Sequence, residues 1–256
     1  MLVCAVLSFG GCARKLGTPA PLREGSFAPA PADTLANGFP RAVAPKLASW
    51  FQLWQRAGTN LRADALHHGP SQPYAFQLAP VVHAGRWRDN VRTRAGIEVL
   101  APDSLHAVDF DMELEVTREP DGIVRPERDV DSGPILADFA RDSLWIVDFC
   151  GTPCGFDGAA WLDASRFVVV GTTQTGAGMD GPWAAFVDLY DLQRRTMTRW
   201  LSSPVTDARL AMYSNAAEST LAARLAAAGA DVPEGRAVVS RALDQGTDRE
   251  PRSGLR

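Results

Sequence analysis

Apolar residues along this 256-residue chain recur with two different periods. Over residues 45–57, Leu47, Trp50, Phe51 and Trp54 stand three and four apart, which is the spacing of one buried helix face. Pro45 suits the first turn of such a helix, and Gly58 suits its C-terminal cap. From about residue 76 to 201 the period shortens to two. Residues 109–116 alternate, with Asp109, Asp111, Glu113 and Glu115 on one side and Phe110, Met112, Leu114 and Val116 on the other. That pattern predicts a strand with one solvated and one buried face. Further strands are predicted at 135–139, 144–149, 166–173, 184–192 and 196–201. The short polar link Gln193-Arg194-Arg195 makes the last two a hairpin, with Val187 and Leu189 turned to the core. A closing helix is predicted over 215–228, with Asn215 and Glu218 as a capping box and Ala217, Leu221, Leu225 and Ala228 on one face. The fold class is therefore mainly β, with antiparallel meander sheets in a sandwich or open sheet and a helix at each end.

A faint internal repeat runs through the β-rich part. APDSLHAVDF (101–110) matches WLDASRFVVVG (161–171), and GPILADF (133–139) matches GPWAAFVDLYD (181–191), with a longer loop in the first unit. In length and pattern, residues 97–201 resemble blades of a β-propeller, a resemblance that implies four-stranded up-and-down sheets. Two units are visible, whereas a closed propeller typically has at least four.

The chain opens MLVCAVLSFGGCARK, a short apolar stretch followed by two glycines and Cys12. This resembles a secretory signal ending in the lipobox of bacterial lipoproteins, although Phe9 stands where that family usually has Leu and no Lys or Arg precedes Cys12. The resemblance implies cleavage before Cys12, a lipid on its thiol, and a place in the cell envelope, on the periplasmic or extracellular face. Six prolines between residues 13 and 45, interleaved with Ala and Gly, predict a semi-extended tether that would hold a domain off a membrane surface. The organisation expected is a signal-like segment at 1–12, a tether at 13–45, one β-rich domain at 46–230 and a flexible tail at 231–256.

Composition narrows the partners. Twenty-six basic and thirty acidic side chains leave a formal charge of −4, which does not favour nucleic acid. Cys150 and Cys154, separated by Gly-Thr-Pro, fit a tight turn closed by a disulfide if the protein is exported. The spacing is one residue too long for a thioredoxin-like motif, and His67, His68, His83 and His106 lie upstream without zinc-like spacing. Gly176-Ala-Gly178-Met-Asp-Gly181 matches GxGxxG, but a strand pattern follows it instead of a helix, so it reads as a loop. Asp109, Asp111, Asp129 and Asp131 are the weak candidates for a cation, with a solvated strand face and a loop as the plainer readings. Arg86, Arg88, Arg92 and Arg94 around Trp87 read as an exposed basic loop. No motif selects catalytic residues, a metal site or a cofactor. The expected role is a non-enzymatic binding or structural module, anchored to a membrane by lipid and meeting a protein or small molecule. The alternative is an exported hydrolase whose active site is dispersed over loops.

Overall fold

The computed structural model describes residues 33–74, 76–78, 97–111, 114–118, 124–127, 133–151, 154–176 and 181–227. Two short helices open it, α1 (Val43–Lys46) and α2 (Ala48–Arg56). The predicted single helix is thus broken at Leu47, where the backbone leaves helical geometry at ψ 12°. Leu47, Trp50, Phe51 and Trp54 are all buried, as their spacing requires. Gly58 ends α2 at φ +78°, with its own N–H donating to the Gln55 carbonyl and that of Thr59 donating to Trp54. That pair of bonds satisfies two carbonyls the helix end would otherwise leave open.

Among the described residues twelve strands follow: β1 (His67–Pro73), β2 (Gln77–Leu78), β3 (Glu98–Leu100), β4 (His106–Asp109), β5 (Glu115–Arg118), β6 (Val124–Glu127), β7 (Ile135–Asp138), β8 (Ser143–Ile146), β9 (Cys154–Trp161), β10 (Arg166–Gln174), β11 (Trp183–Asp191) and β12 (Thr196–Leu201). The closing helix is α3 (Asp207–Ala227). One sheet has the order β1-β12-β11-β10-β9, a second β2-β8-β7-β4-β3, and β5 and β6 form a separate hairpin. The pairings are antiparallel. The fold is mainly β, and the predicted hairpin of 184–201 is β11 paired with β12.

The two large sheets share one plan. Each is a four-strand meander (β3-β4-β7-β8 and β9-β10-β11-β12) with an earlier strand added beside its last member. The longer loop of the first unit is the β5–β6 hairpin, inserted between β4 and β7. The turns match in chemistry as well. Asp103 and Asp163 accept amides of the turns before β4 and β10, at 2.9 Å from Leu105 and from Ser165. Asp138 and Asp191 do the same before β8 and β12, accepting the amide N–H of Arg141 at 3.0 Å and of Arg194 at 2.9 Å. In both of the latter turns the next residue, Asp142 or Arg195, takes a left-handed conformation. Asp191 is thus the counterpart of Asp138. The sheets do not form a propeller: among the described residues there are two blade-like sheets and no closed ring.

The layers stack as helices, first sheet, second sheet. Val168, Val170, Ala185 and Val187 face α1, α2 and Tyr213 of α3, with Leu189 packed at the margin. The opposite face of the same strands, including Phe167, Val169, Phe186 and Tyr190, meets Val108 and Leu136 of the second sheet. Tyr213 stacks on Trp54 at 3.7 Å and donates a hydrogen bond to Asp157 of β9 at 2.8 Å, tying both helical ends to one sheet.

Three further expectations need correction. The tether does not extend to residue 45, because Phe39 and Val43 are buried in the helix-side core and Thr34 bridges Pro40. Helix α3 starts at Asp207, so Asn215 is an interior residue whose carbonyl accepts a bond from the Ser219 hydroxyl, and it is not a cap. The solvated carboxylate face is not there either. Asp109 and Asp111 are buried, because β4 ends at Asp109 and the chain turns as the Asp111 N–H donates to Asp109 Oδ1 at 2.9 Å. Phe110 and Leu114 are buried too, against Leu221 and Leu225 of α3, so among the described side chains of this segment the carboxylate and apolar positions are buried alike. Met112, Glu113 and the side chains of Glu115 and Val116 lie outside what the structure describes. Strands β1, β2, β3, β6 and β9 lie outside the predicted strands.

Gly171 marks the tightest approach inside the first sheet. A bulge separates Val170 from Gly171 in the pairing with β9. A Cβ at Gly171 would run into the Gly155 carbonyl and lie 2.8 Å from the Phe186 ring. Gly171→Ala should therefore cost about 2–3 kcal/mol of stability by overpacking, measured by urea unfolding. A variant as stable as the parent would show that β9 and β10 can separate freely at the bulge.

Candidate functional site

A four-residue turn between Asp191 and Thr196 sets the β11–β12 register, and that register places Asp188 opposite Arg199. Alternation along β11 then puts Phe186, Asp188 and Tyr190 on the face toward the second sheet, with Val187 on the helix side. A carboxylate is therefore buried between two sheets, and Asp188 has no solvent-exposed surface. Arg199 answers it with two parallel bonds, Nε to Oδ1 at 2.7 Å and Nη2 to Oδ2 at 2.6 Å. This bidentate geometry is the arrangement in which a guanidinium offsets most of a carboxylate's lost hydration. The guanidinium carbon also lies 4.9 Å from the centre of the Phe186 ring.

The third member comes from the connection between the two sheets. Between β8 and β9 the chain crosses from one sheet to the other, and Asp148 on that crossover sits 3.5 Å from Arg199 Nη2. Val147 anchors the crossover by burial and by donating its N–H to the Pro134 carbonyl at 2.9 Å. Cys150 and Cys154 follow, joined as a disulfide with Cα atoms 5.9 Å apart, and Cys150 packs against the inter-sheet core. Tyr190 completes the group. Its ring stacks on Phe167 at 5.0 Å, and its ionisation is pushed well above the usual range by burial, then by the charges of Asp188 and Asp148.

Burial also decides the behaviour of Asp188. Loss of hydration pushes its carboxyl up from 3.8 to about 6, against the lowering effect of Arg199, and Asp148 adds a like charge in the same direction. Arg199 keeps a third of its side chain exposed, suffers less desolvation, and is held protonated more firmly by both carboxylates. The cluster has one cation between two anions, all within the interface of the sheets. Chemically it is a clamp: its donors point at its own acceptors.

The other candidates fall apart in space or into turns. Histidines 67 and 68 point to different neighbours, as adjacent strand residues must. His67 Nε2 lies 3.2 Å from Ser203 Oγ at an exposed strand end, and His68 packs edge-on against Trp200. The His67–Ser203 contact resembles the start of a nucleophile–base pair, but among the described residues no carboxylate is hydrogen-bonded to the imidazole to orient it. His106 Nδ1 meets Asp103 Oδ2 at 3.3 Å inside a turn. Gly176 and Gly181 belong to the loop between β10 and β11, closed by the Thr175 N–H donating to the Pro182 carbonyl at 2.8 Å, with no helix following. Asp109 and Asp111 are buried, and among the described residues no group of three or more His, Cys, Asp or Glu converges to hold a metal. A groove of about 320 Å³ lies beside α2, with Phe51 and Leu61 buried and Gln52, Gln55 and Arg62 exposed around it. Cys12, His83, the arginines around Trp87, Gly178, Asp129 and Asp131 lie outside the described residues. No described helix is long and apolar enough to cross a membrane.

No protein-family profile matches this chain, and neither the curated proteins nor the solved structures give a match.

Two measurements follow from the clamp. Arg199→Ala leaves Asp188 buried and unpaired, and should cost about 3–5 kcal/mol in denaturant unfolding. A loss near zero would mean that water reaches Asp188. The pH dependence has a defined sign. The folded state binds the Asp188 proton more tightly than the unfolded chain, so its contribution is full below 3.8 and lost as pH rises through about 6. The stability of the parent minus that of Asp188→Asn should fall across that window, and a difference that rises instead would put the ionised form as the preferred buried state.

Proposed function

We propose that this chain is a lipid-anchored envelope protein, attached through Cys12, whose β-rich body acts as a non-enzymatic binding or structural module. The observation that carries the reading is the Cys150–Cys154 pair, held at disulfide distance on a partly exposed crossover. Disulfides of this kind persist in oxidising compartments and are rare in reducing ones. The FGGC segment ending at Cys12 supplies the matching address. The module reading is supported by how the polar side chains are used. Asp103, Asp138, Asp163 and Asp191 hold turns, and Asp148, Asp188 and Arg199 hold sheets together. Residues engaged in this way give a rigid body that presents loops.

The runner-up, an exported hydrolase with a dispersed site, draws on one contact, His67 with Ser203. Turnover in a broad hydrolase screen that disappears in Ser203→Ala would establish it over the module reading.

Expression in a bacterial host with a radiolabelled fatty acid checks the address. The parent should carry label and sediment with membranes, and Cys12→Ser should do neither. Unlabelled parent protein in the soluble fraction would end the lipoprotein reading. Mass spectrometry after alkylation without reduction should find Cys150 and Cys154 unmodified. Alkylation of both would remove the support drawn from the disulfide.

A further inference from the structure

The disulfide and the inter-sheet clamp share one short piece of chain. The crossover from β8 to β9 carries Val147, Asp148 and Cys150 in sequence, and Cys154 opens β9 in the other sheet. A single residue, Phe149, separates the carboxylate that reaches Arg199 from the sulfur that is tied to the first sheet. On the β8 side Asp148 is held through Val147, which is buried and donates its N–H to the Pro134 carbonyl at 2.9 Å, and on the β9 side through the disulfide. Its other oxygen accepts the local N–H of Phe149 at 2.8 Å, and Phe149 is 55% exposed. The 3.5 Å contact with Arg199 is long beside the 2.6 Å contact of Asp188, so Asp148 is the weaker of the two partners. A weak contact in solvent-accessible surroundings, next to a covalent tie, depends on the tie for its effective concentration.

We propose that the Cys150–Cys154 disulfide is a redox-set clasp, which when oxidised keeps Asp148 on Arg199 and when reduced releases it from the seam between the two sheets. The reductant is a dithiol. One of its sulfurs attacks one cysteine sulfur of the disulfide, and its second sulfur resolves the mixed disulfide. Two electrons and two protons pass to Cys150 and Cys154, which leave as thiols, while the dithiol becomes a cyclic disulfide. Both cysteines are partly exposed, so the attack has a route. Release of Asp148 leaves Arg199 to Asp188 alone, a neutral pair in place of a net anionic triad. The groups facing Asp188 are then Arg199 from β12 and the Tyr190 hydroxyl from its own strand, with the crossover carboxylate withdrawn. This rests on the reading that the pair is oxidised in the mature protein, and thiol counting on the untreated protein tests that separately.

The reporter is Asp188. In the oxidised protein Asp148 is a like charge beside it, so withdrawal of Asp148 should move the Asp188 titration downward. Carboxyl carbon NMR of the full chain can follow this with and without a dithiol reductant. Reduction should lower the Asp188 midpoint by roughly 0.5–1 pH unit, and Asp148→Asn in the oxidised protein should lower it by the same amount. Reduction of Asp148→Asn should add nothing. An Asp188 midpoint unchanged by reduction, in a protein whose two thiols have been counted as formed, overturns the clasp and leaves the disulfide as a turn brace. A second shift on reducing Asp148→Asn also overturns it, since the coupling would then run by another path. Cysteines already free before reduction would instead defeat the oxidised-state reading on which it rests.

Discussion

Strand β11 is covered on both of its faces, by helices on one side and by a second sheet on the other, and nearly everything else in the fold answers to that. A strand in this position cannot alternate wet and dry, so Ala184, Ala185, Phe186, Val187 and Tyr190 are all buried. The one ionisable residue in its middle, Asp188, therefore has to be met by a partner that travels with the strand. Arg199 meets this requirement because it is directly opposite on the neighbouring strand of the same hairpin. Once that pair is in place, the second sheet can close over it, and Asp148 becomes a contact between layers.

This arrangement explains which features could be read from the chain. The 184–201 hairpin was legible because its turn residues are polar and its strands are long. Helix α2 was legible because four large apolar side chains keep one spacing. Residues 109–116 misled because alternation of charged and apolar side chains does not distinguish a half-solvated strand from a segment that leaves its strand and is buried by a distant helix. The partners that bury it, Leu221 and Leu225, are more than a hundred residues away. Strand β1 could not be read at all. HHGPSQP has no apolar rhythm and two prolines, and it is a strand only because the backbone of β12 offers it a ladder, with a bulge between His68 and Ser71. The clamp was not read from the chain. Asp188 and Arg199 lie in the two strands of the predicted hairpin, and only its observed register shows that they stand opposite one another. Asp148 gave no signal either, because a contact between sheets leaves no local signature.

The turns suggest how such a body holds together with ordinary means. Four aspartates recur at the starts of matching turns in the two sheets, and each replaces water on backbone amides that would otherwise have no partner. The inserted β5–β6 hairpin alters the length of one unit without changing its strand order. The shared plan thus lies in the turns and the strand sequence, and it accommodates differences elsewhere.

Both large sheets are completed by a strand that is made early and used late. β1 pairs with β12 and β2 pairs with β8, so His67–Pro73 has no ladder until the ribosome has added the residues through Leu201. The aromatic residues of α2 are in the same position, since the stacking partner of Trp54 is Tyr213. Contacts of such sequence separation make folding slow and concentrate it at the end of synthesis. The β1 strand and the α2 aromatics consequently meet their native partners only after the strands and the helix near the other end of the sequence have been made.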